Sequence, residues 1–310
     1  MKKVIQFIVL TCIVSWTVAG LAIFFGLRKP EGIIFTIVAM SYMILPAICA
    51  IILQLIHKEK PFRNLNISFK INRWFFVAGF LPIIFVFLTL GINVLLPNVS
   101  FSSTSVGFLQ TIPEDEVELT IQQLTRFSPR IFLLLYIVQT FVLGCTLNAI
   151  TGFGEELGWR GYLLKELQDK KFLEASLIIG TVWGLWHFPF ILIGYNYPQH
   201  PLAGVGMMII FCILLTPIMI YIVIKSKSII PAALFHGTIN ASEGIPILYL
   251  IGGTDLTNGI TGIAGFISLF FMTIAFYLFD KYITKEDIFI KGIAENINFN
   301  REIRKSPNCT

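Results

Sequence analysis

The chain has 310 residues, of which 55% are hydrophobic and 13% charged, with a mean hydropathy of +0.79 and a formal net charge of +5. A water-soluble domain of this length needs far more polar surface. A transmembrane barrel is excluded by segment length, because the apolar runs extend for about 20 residues, whereas barrel strands show alternating segments of roughly 10. The composition therefore predicts an all-α polytopic membrane helical bundle.

In chain order, spans are predicted at Val4–Leu27, Gly32–Ile56, Trp74–Leu96, Ile131–Phe153, Ala175–Gly194, Leu202–Ile224, Ile229–Gly252 and Ile260–Phe279, about eight in all. The apolar run after Lys2 and Lys3 continues past the tolerable cleavage site at Ala19, so an uncleaved first span is expected. Lys and Arg are retained preferentially on the cytoplasmic side. Of the 23 basic residues, only Arg28, Lys29, Arg126 and Arg130 fall on one side of this arrangement. Both termini are therefore expected in the cytoplasm, and the number of spans should be even. The chain reads as a single membrane domain, 1–310, with a catalytic core over about 131–252 and a cytoplasmic tail over about 280–310. The localisation expected from the short loops is the cytoplasmic membrane of a bacterium.

Several features carry no chemistry. The long outer loop holds Glu114, Asp115, Glu116 and Glu118, which reads as a solvated acidic segment. Cys12, Cys49, Cys145 and Cys212 lie in apolar spans and Cys309 in the tail, without metal or redox spacing. The positive charge is accounted for by loops facing anionic lipid, so the lipid bilayer is an expected partner and nucleic acid is not.

Ionisable residues at membrane depth are costly to place and mark either pairing or function. Three groups qualify. In the first, Glu155, Glu156 and Arg160 lie at the end of the fourth span. On a continuous helix Glu156 and Arg160 share a face and can pair. Glu155 is rotated about 100° away and is free to act as a general base. An ordinary interfacial helix end is the competing explanation. In the second, His187 stands between Trp183, Trp186 and Pro189 in the fifth span, and the proline should kink the helix there. A His bonded to a neighbouring helix would also account for it. In the third, His236 and Asn240 are four apart on one face of the seventh span. They could hold a developing oxyanion or simply link two helices. Together the groups supply a base, a water-positioning partner and a polarising pair, the parts of an amide hydrolase.

Glu155, Glu156 and Arg160, the aromatic Trp183 with His187, and His236 with Asn240 resemble, in order, the three motifs of the CPBP (CAAX protease and bacteriocin-processing) intramembrane proteases, which include type II CAAX prenyl endopeptidases. The resemblance covers Phe153 to about Asn240, and Trp183 stands where the family usually has Phe, a departure expected to matter little. It implies that Glu155 and His187 activate water, that His236 and Asn240 hold the oxyanion, and that Glu156 and Arg160 support the site. It implies a membrane-associated peptide or protein substrate. A prenylated substrate belongs to some eukaryotic relatives and is not expected here. Bacteriocin maturation, self-immunity and membrane-protein processing stay open. No cofactor is expected, with zinc held by His187, His236 and a Glu as the alternative. The competing classes are a non-enzymatic scaffold or immunity protein and a transporter. A transporter should show paired broken helices or internal repeats, which the sequence does not display.

Overall fold

The computed structural model describes residues 1–104, 109, 114–297 and 299; Cys309 and the tail beyond 299, like the side chains of Glu114, Asp115 and Glu116, lie outside the described residues. Its helices are α1 (Lys2–Phe24), α2 (Gly32–Ile56), α3 (Arg73–Asn93), α4 (Glu114–Thr125), α5 (Pro129–Cys145), α6 (Leu147–Glu166), α7 (Phe172–Trp186), α8 (Phe188–Leu192), α9 (Pro201–Ser226), α10 (Ile230–Ser242), α11 (Gly244–Leu248), α12 (Ile263–Leu278) and α13 (Ile293–Asn296). The only sheet among the described residues is an antiparallel pair, β1 (Val99–Phe101) with β2 (Leu250–Gly252). The protein is a helical, multi-pass membrane protein.

A helix stands at every expected span, yet among the described residues only five are long and apolar enough to cross a bilayer, or six if α5 and α6, bent by 45° at their junction, count as one. The span expected to end at Phe153 instead runs on to Glu166, so α6 carries the whole acidic motif. The fifth and seventh spans are interrupted, α7 giving way to α8 at His187 and α10 to α11 at Glu243. The expectation that broken helices are absent is thus corrected. Near Pro189, where the kink is expected, the helix is interrupted for one residue, at His187. Pro189 has no N–H for the carbonyl of Leu185, and the next exposed carbonyl, that of Trp186, accepts instead from Tyr42 Oη at 2.8 Å and Trp16 Nε1 at 3.2 Å.

The basic segments gather at one end of the bundle. Glu59, after α2, takes hydrogen bonds from Lys3 and, at 2.5 Å, from Lys165 in the last turn of α6. Lys225 reaches Glu286 at 2.5 Å, Lys171 pairs with Gly292, and the amide of Ile229 donates to Asn66. The start of α1 and the segment after α12 therefore share an end. At the other end, β1 joins β2 and Asp255 accepts from the Gln199 and His200 amides.

Helix α9 is the axis of the bundle, with 72% of its apolar window buried against about a third in α1, α2, α3 and α12, which turn apolar side chains such as Ile33, Phe76 and Ile84 outward. Lipid tails offer no hydrophobic drive between helices, so close backbone approach decides packing. Gly180 and Gly184 of α7 meet the backbone of α9 at Ile213 and Ile209, and Gly154 and Gly158 of α6 meet α2 at Ile44 and Pro46. A Cβ at any of these four would stand 2.5–2.8 Å from its neighbour. Gly237 is tighter still, since its Cβ would lie 2.4 Å from the Gly144 carbonyl and 2.5 Å from the Ala149 nitrogen, at the junction of α5 and α6. Each of these helices has a motif residue beside such a glycine: Glu155, Trp183 and His236.

Candidate active site

Glu155, Glu156 and Arg160 are 1%, 0% and 0% exposed, a depth at which three ionised groups require mutual compensation. The helix supplies it by widening: α6 turns from α to π geometry over Leu157–Leu163, a device common at functional sites. Arg160 donates to Glu156 Oε1 at 3.0 Å and to Thr216 Oγ1 of α9 at 3.0 Å. Its guanidinium also lies over the Trp183 ring, 4.2 Å from the centroid. His236 Nδ1 is 2.9 Å from the same Glu156 oxygen, which ties α10 to α6. Because a carboxylate only accepts, Nδ1 carries the proton and Nε2 is left for the cavity.

Glu155 lies on the other side of the helix, as the 100° rotation requires. Its Oε2 accepts from the indole N–H of Trp183 at 2.7 Å. This corrects the expectation that the change from Phe to Trp matters little, since only the indole has a donor. His187 sits in the break between α7 and α8, where its Nδ1 is 2.8 Å from the Trp183 carbonyl. That carbonyl fixes Nδ1–H and leaves Nε2 with a lone pair. The ring is held edge-on by Trp186 at 4.9 Å.

One cavity is lined by Glu155, His187, His236 and Asn240. The structure thus brings together all four residues expected to be catalytic, with Glu156 and Arg160 behind them. Asn240 is half-buried with its carboxamide unbonded among the described residues. Phe35, Phe190, Phe211 and Met208 make the remaining wall largely apolar. Two lining residues escape sequence reasoning, Glu243 and Asn196. Glu243 carries a legible signal, because it follows Asn240 by three and His236 by seven and so continues their stripe. Asn196 carries none, arriving from the loop after α8.

Among the described residues no three His, Cys, Asp or Glu side chains converge as metal ligands. With Nδ1 of each ring held by an acceptor, His187 and His236 keep Nε2 for the cavity, beside the Glu155 oxygen not held by Trp183.

The site is thus a buried Glu-Glu-Arg cluster and two histidines around one largely apolar cavity in a multi-pass helical bundle. Residues 132–242 match the family model described as type II CAAX prenyl endopeptidase Rce1-like. CAAX prenyl protease 2 of Methanococcus maripaludis is 35% identical over 164 residues, covering 51% of this chain and 52% of the relative. The chain thus spans about half the length of the curated relative it matches.

Proposed function

We propose that this protein is an intramembrane endopeptidase that hydrolyses a peptide bond of a membrane-associated protein or peptide by a glutamate-dependent, metal-free mechanism. The observation that carries this reading is the convergence of Glu155, His187, His236 and Asn240 on one cavity, together with the family match of residues 132–242. Both termini face the cytoplasm of a bacterial cell on this reading, as the basic end of the bundle suggests.

The protein's own groups divide the work. Oε1 of Glu155, the oxygen not held by Trp183, takes a proton from a water whose other O–H donates to His187 Nε2 and is positioned by it. The water oxygen adds to the substrate carbonyl carbon, and the resulting oxyanion is met by the Asn240 carboxamide and His236 Nε2–H. Donation from Nε2 needs the doubly protonated ring, and Glu156 at 2.9 Å is the counter-ion for that imidazolium. With Arg160 also charged, the two carboxylates and two cations sum to neutrality, which keeps the buried cluster tolerable. Glu155 then returns its proton to the leaving nitrogen, the C–N bond breaks, and a carboxylate and an amine depart.

The test is cleavage of a quenched-peptide library by detergent-purified protein, comparing wild type with Glu155→Gln and repeating both with a zinc chelator. Activity lost in the variant and kept with chelator supports the proposal; loss in both favours zinc. A second reading, transport, draws on the interruption of α7–α8 and α10–α11 at the cavity, since transporters place substrates at broken helices. Solute flux in proteoliposomes that survives Glu155→Ala would favour it. A scaffold or immunity role predicts that Glu155→Gln leaves biological activity intact.

A further inference from the structure

Glu243 is a carboxylate in the cavity that hydrolysis does not use. It stands at the break between α10 and α11, on the stripe of His236 and Asn240, and it lines the same cavity. The other two acids there are compensated: Glu156 by Arg160 and His236, and Glu155 by the Trp183 N–H within the same cluster. Glu243 has no cationic partner among the described residues; its polar partner is the neutral carboxamide of Asn196. Tyr195 lies close enough to Glu243 to feel its charge, and it packs against Phe35 at 5.4 Å, with Phe35 against Phe190 at 5.5 Å, all of them lining the same cavity. A carboxylate without a counter-ion is expensive at this depth, and ring faces attract cations. Carboxylate and aromatic faces together form a receptor for an ammonium or guanidinium group.

On the hydrolytic reading above, we infer that Glu243 and the neighbouring aromatic side chains form a subsite for the Lys or Arg side chain of a peptide substrate. The subsite lies close to the reacting carbonyl. Along the helix, Glu243 is about 4.5 Å from Asn240 and about 10 Å from His236 at 1.5 Å per residue. An extended peptide advances about 3.3 Å per residue, so the basic residue falls within about three positions of the scissile bond. The cavity thereby selects a cationic residue in an otherwise apolar segment, which suits a membrane-associated peptide near its basic flank.

The experiment uses sets of quenched peptides identical except at one position, which carries Lys, its uncharged near-isostere norleucine, or Glu, walked through three positions on either side of the cleaved bond. For wild type, Lys should raise kcat/KM about 10-fold or more over norleucine at one position, mainly through KM, as expected for one hydrogen bond to a charged group. In Glu243→Gln that ratio should fall to about 1, and in Glu243→Lys the preference should pass to the Glu peptide. Equal wild-type cleavage of Lys and norleucine peptides at all positions overturns the inference, as does a Lys-to-norleucine ratio that survives Glu243→Gln. If no peptide is cleaved in a Glu155-dependent manner, the hydrolytic reading has failed and not the subsite. The subsite is then read by equilibrium binding to the Glu155→Gln protein, which should hold the Lys peptide more tightly than the norleucine peptide. The added Glu243→Gln change should erase that difference, and equal binding of the two peptides overturns the inference.

Discussion

Adding a single methyl group at Gly237 should disable the site without touching any residue in it. The Cβ of Gly237→Ala would lie 2.4 Å from the Gly144 carbonyl oxygen, 2.5 Å from the Ala149 nitrogen and 2.7 Å from the Asn148 carbonyl carbon. Ordinary contact begins near 3.4 Å, so α10 must withdraw from the α5–α6 junction by about 1 Å, and backbone atoms on both sides leave no flexible side chain to give way. The neighbouring residue His236 moves with the helix. Its 2.9 Å bond to Glu156 stretches past the 3.5 Å limit, which uncouples the imidazole from its counter-ion. Overpacking of this kind costs about 1–3 kcal/mol of stability, and a displacement of about 1 Å can cost roughly 100-fold in turnover. The assay is kcat on a cleaved reporter peptide, paired with thermal unfolding in detergent. Gly206→Ala is the control, because nothing lies within 4 Å of its added Cβ. Wild-type turnover and an unchanged Tm in Gly237→Ala would refute the idea that close approach of α10 and α6 builds the site.

Trp183→Phe keeps an aromatic face for Arg160 but removes the N–H that holds Glu155 at 2.7 Å, so kcat should fall by roughly 10-fold or more while KM changes little; an unaltered kcat would show the indole to be packing alone. Arg160→Ala leaves two buried carboxylates with only the His236 cation, and the yield of folded protein should drop by the equivalent of about 3–5 kcal/mol. Asn240→Ala, half-buried and unbonded, should lower turnover at nearly constant Tm, and equal losses of folded protein in these two variants would contradict the division of roles. At the basic end, burial alone would raise the Glu59 carboxyl, yet hydrogen bonds and charges from Lys165 and Lys3 hold it below its ordinary value of 4.5. A depressed folded-state pKa contributes stability that is present above the unfolded value and fades as pH falls through the folded one. Glu59→Gln should therefore lower Tm near neutrality and lose its effect in acid below that folded-state value; a Tm difference that persisted there would sink the assignment.

Much of the site was legible because membrane depth makes charge conspicuous. Glu155, Glu156, Arg160, His187, His236 and Asn240 stand out in apolar runs, and their spacing alone pairs Glu156 with Arg160 and aligns His236 with Asn240. Pro189 announced the interruption at His187 for an equally local reason, the missing donor. Other features had no such signature. Span length failed for α7 and α10, since hydropathy does not register an interruption of the helix inside an apolar run. The role of the Trp183 N–H was misjudged as aromatic equivalence, because its partner sits 28 residues away on another helix.

What the amino-acid sequence determined by itself was the class of solvent and the local geometry: an all-α membrane bundle, the basic segments that share one end, and the helical faces on which the polar groups lie. These follow from burial energetics and from the 3.6-residue period, which act within a segment. Only the tertiary structure decided that three separate helices deliver their polar residues to one cavity, that Glu156 is shared by Arg160 and His236, and that Glu243 and Asn196 join the wall. Those outcomes depend on which helices approach closely, and that is set by glycine contacts between segments as distant as Gly144 and Gly237, a distance in sequence that no local pattern spans.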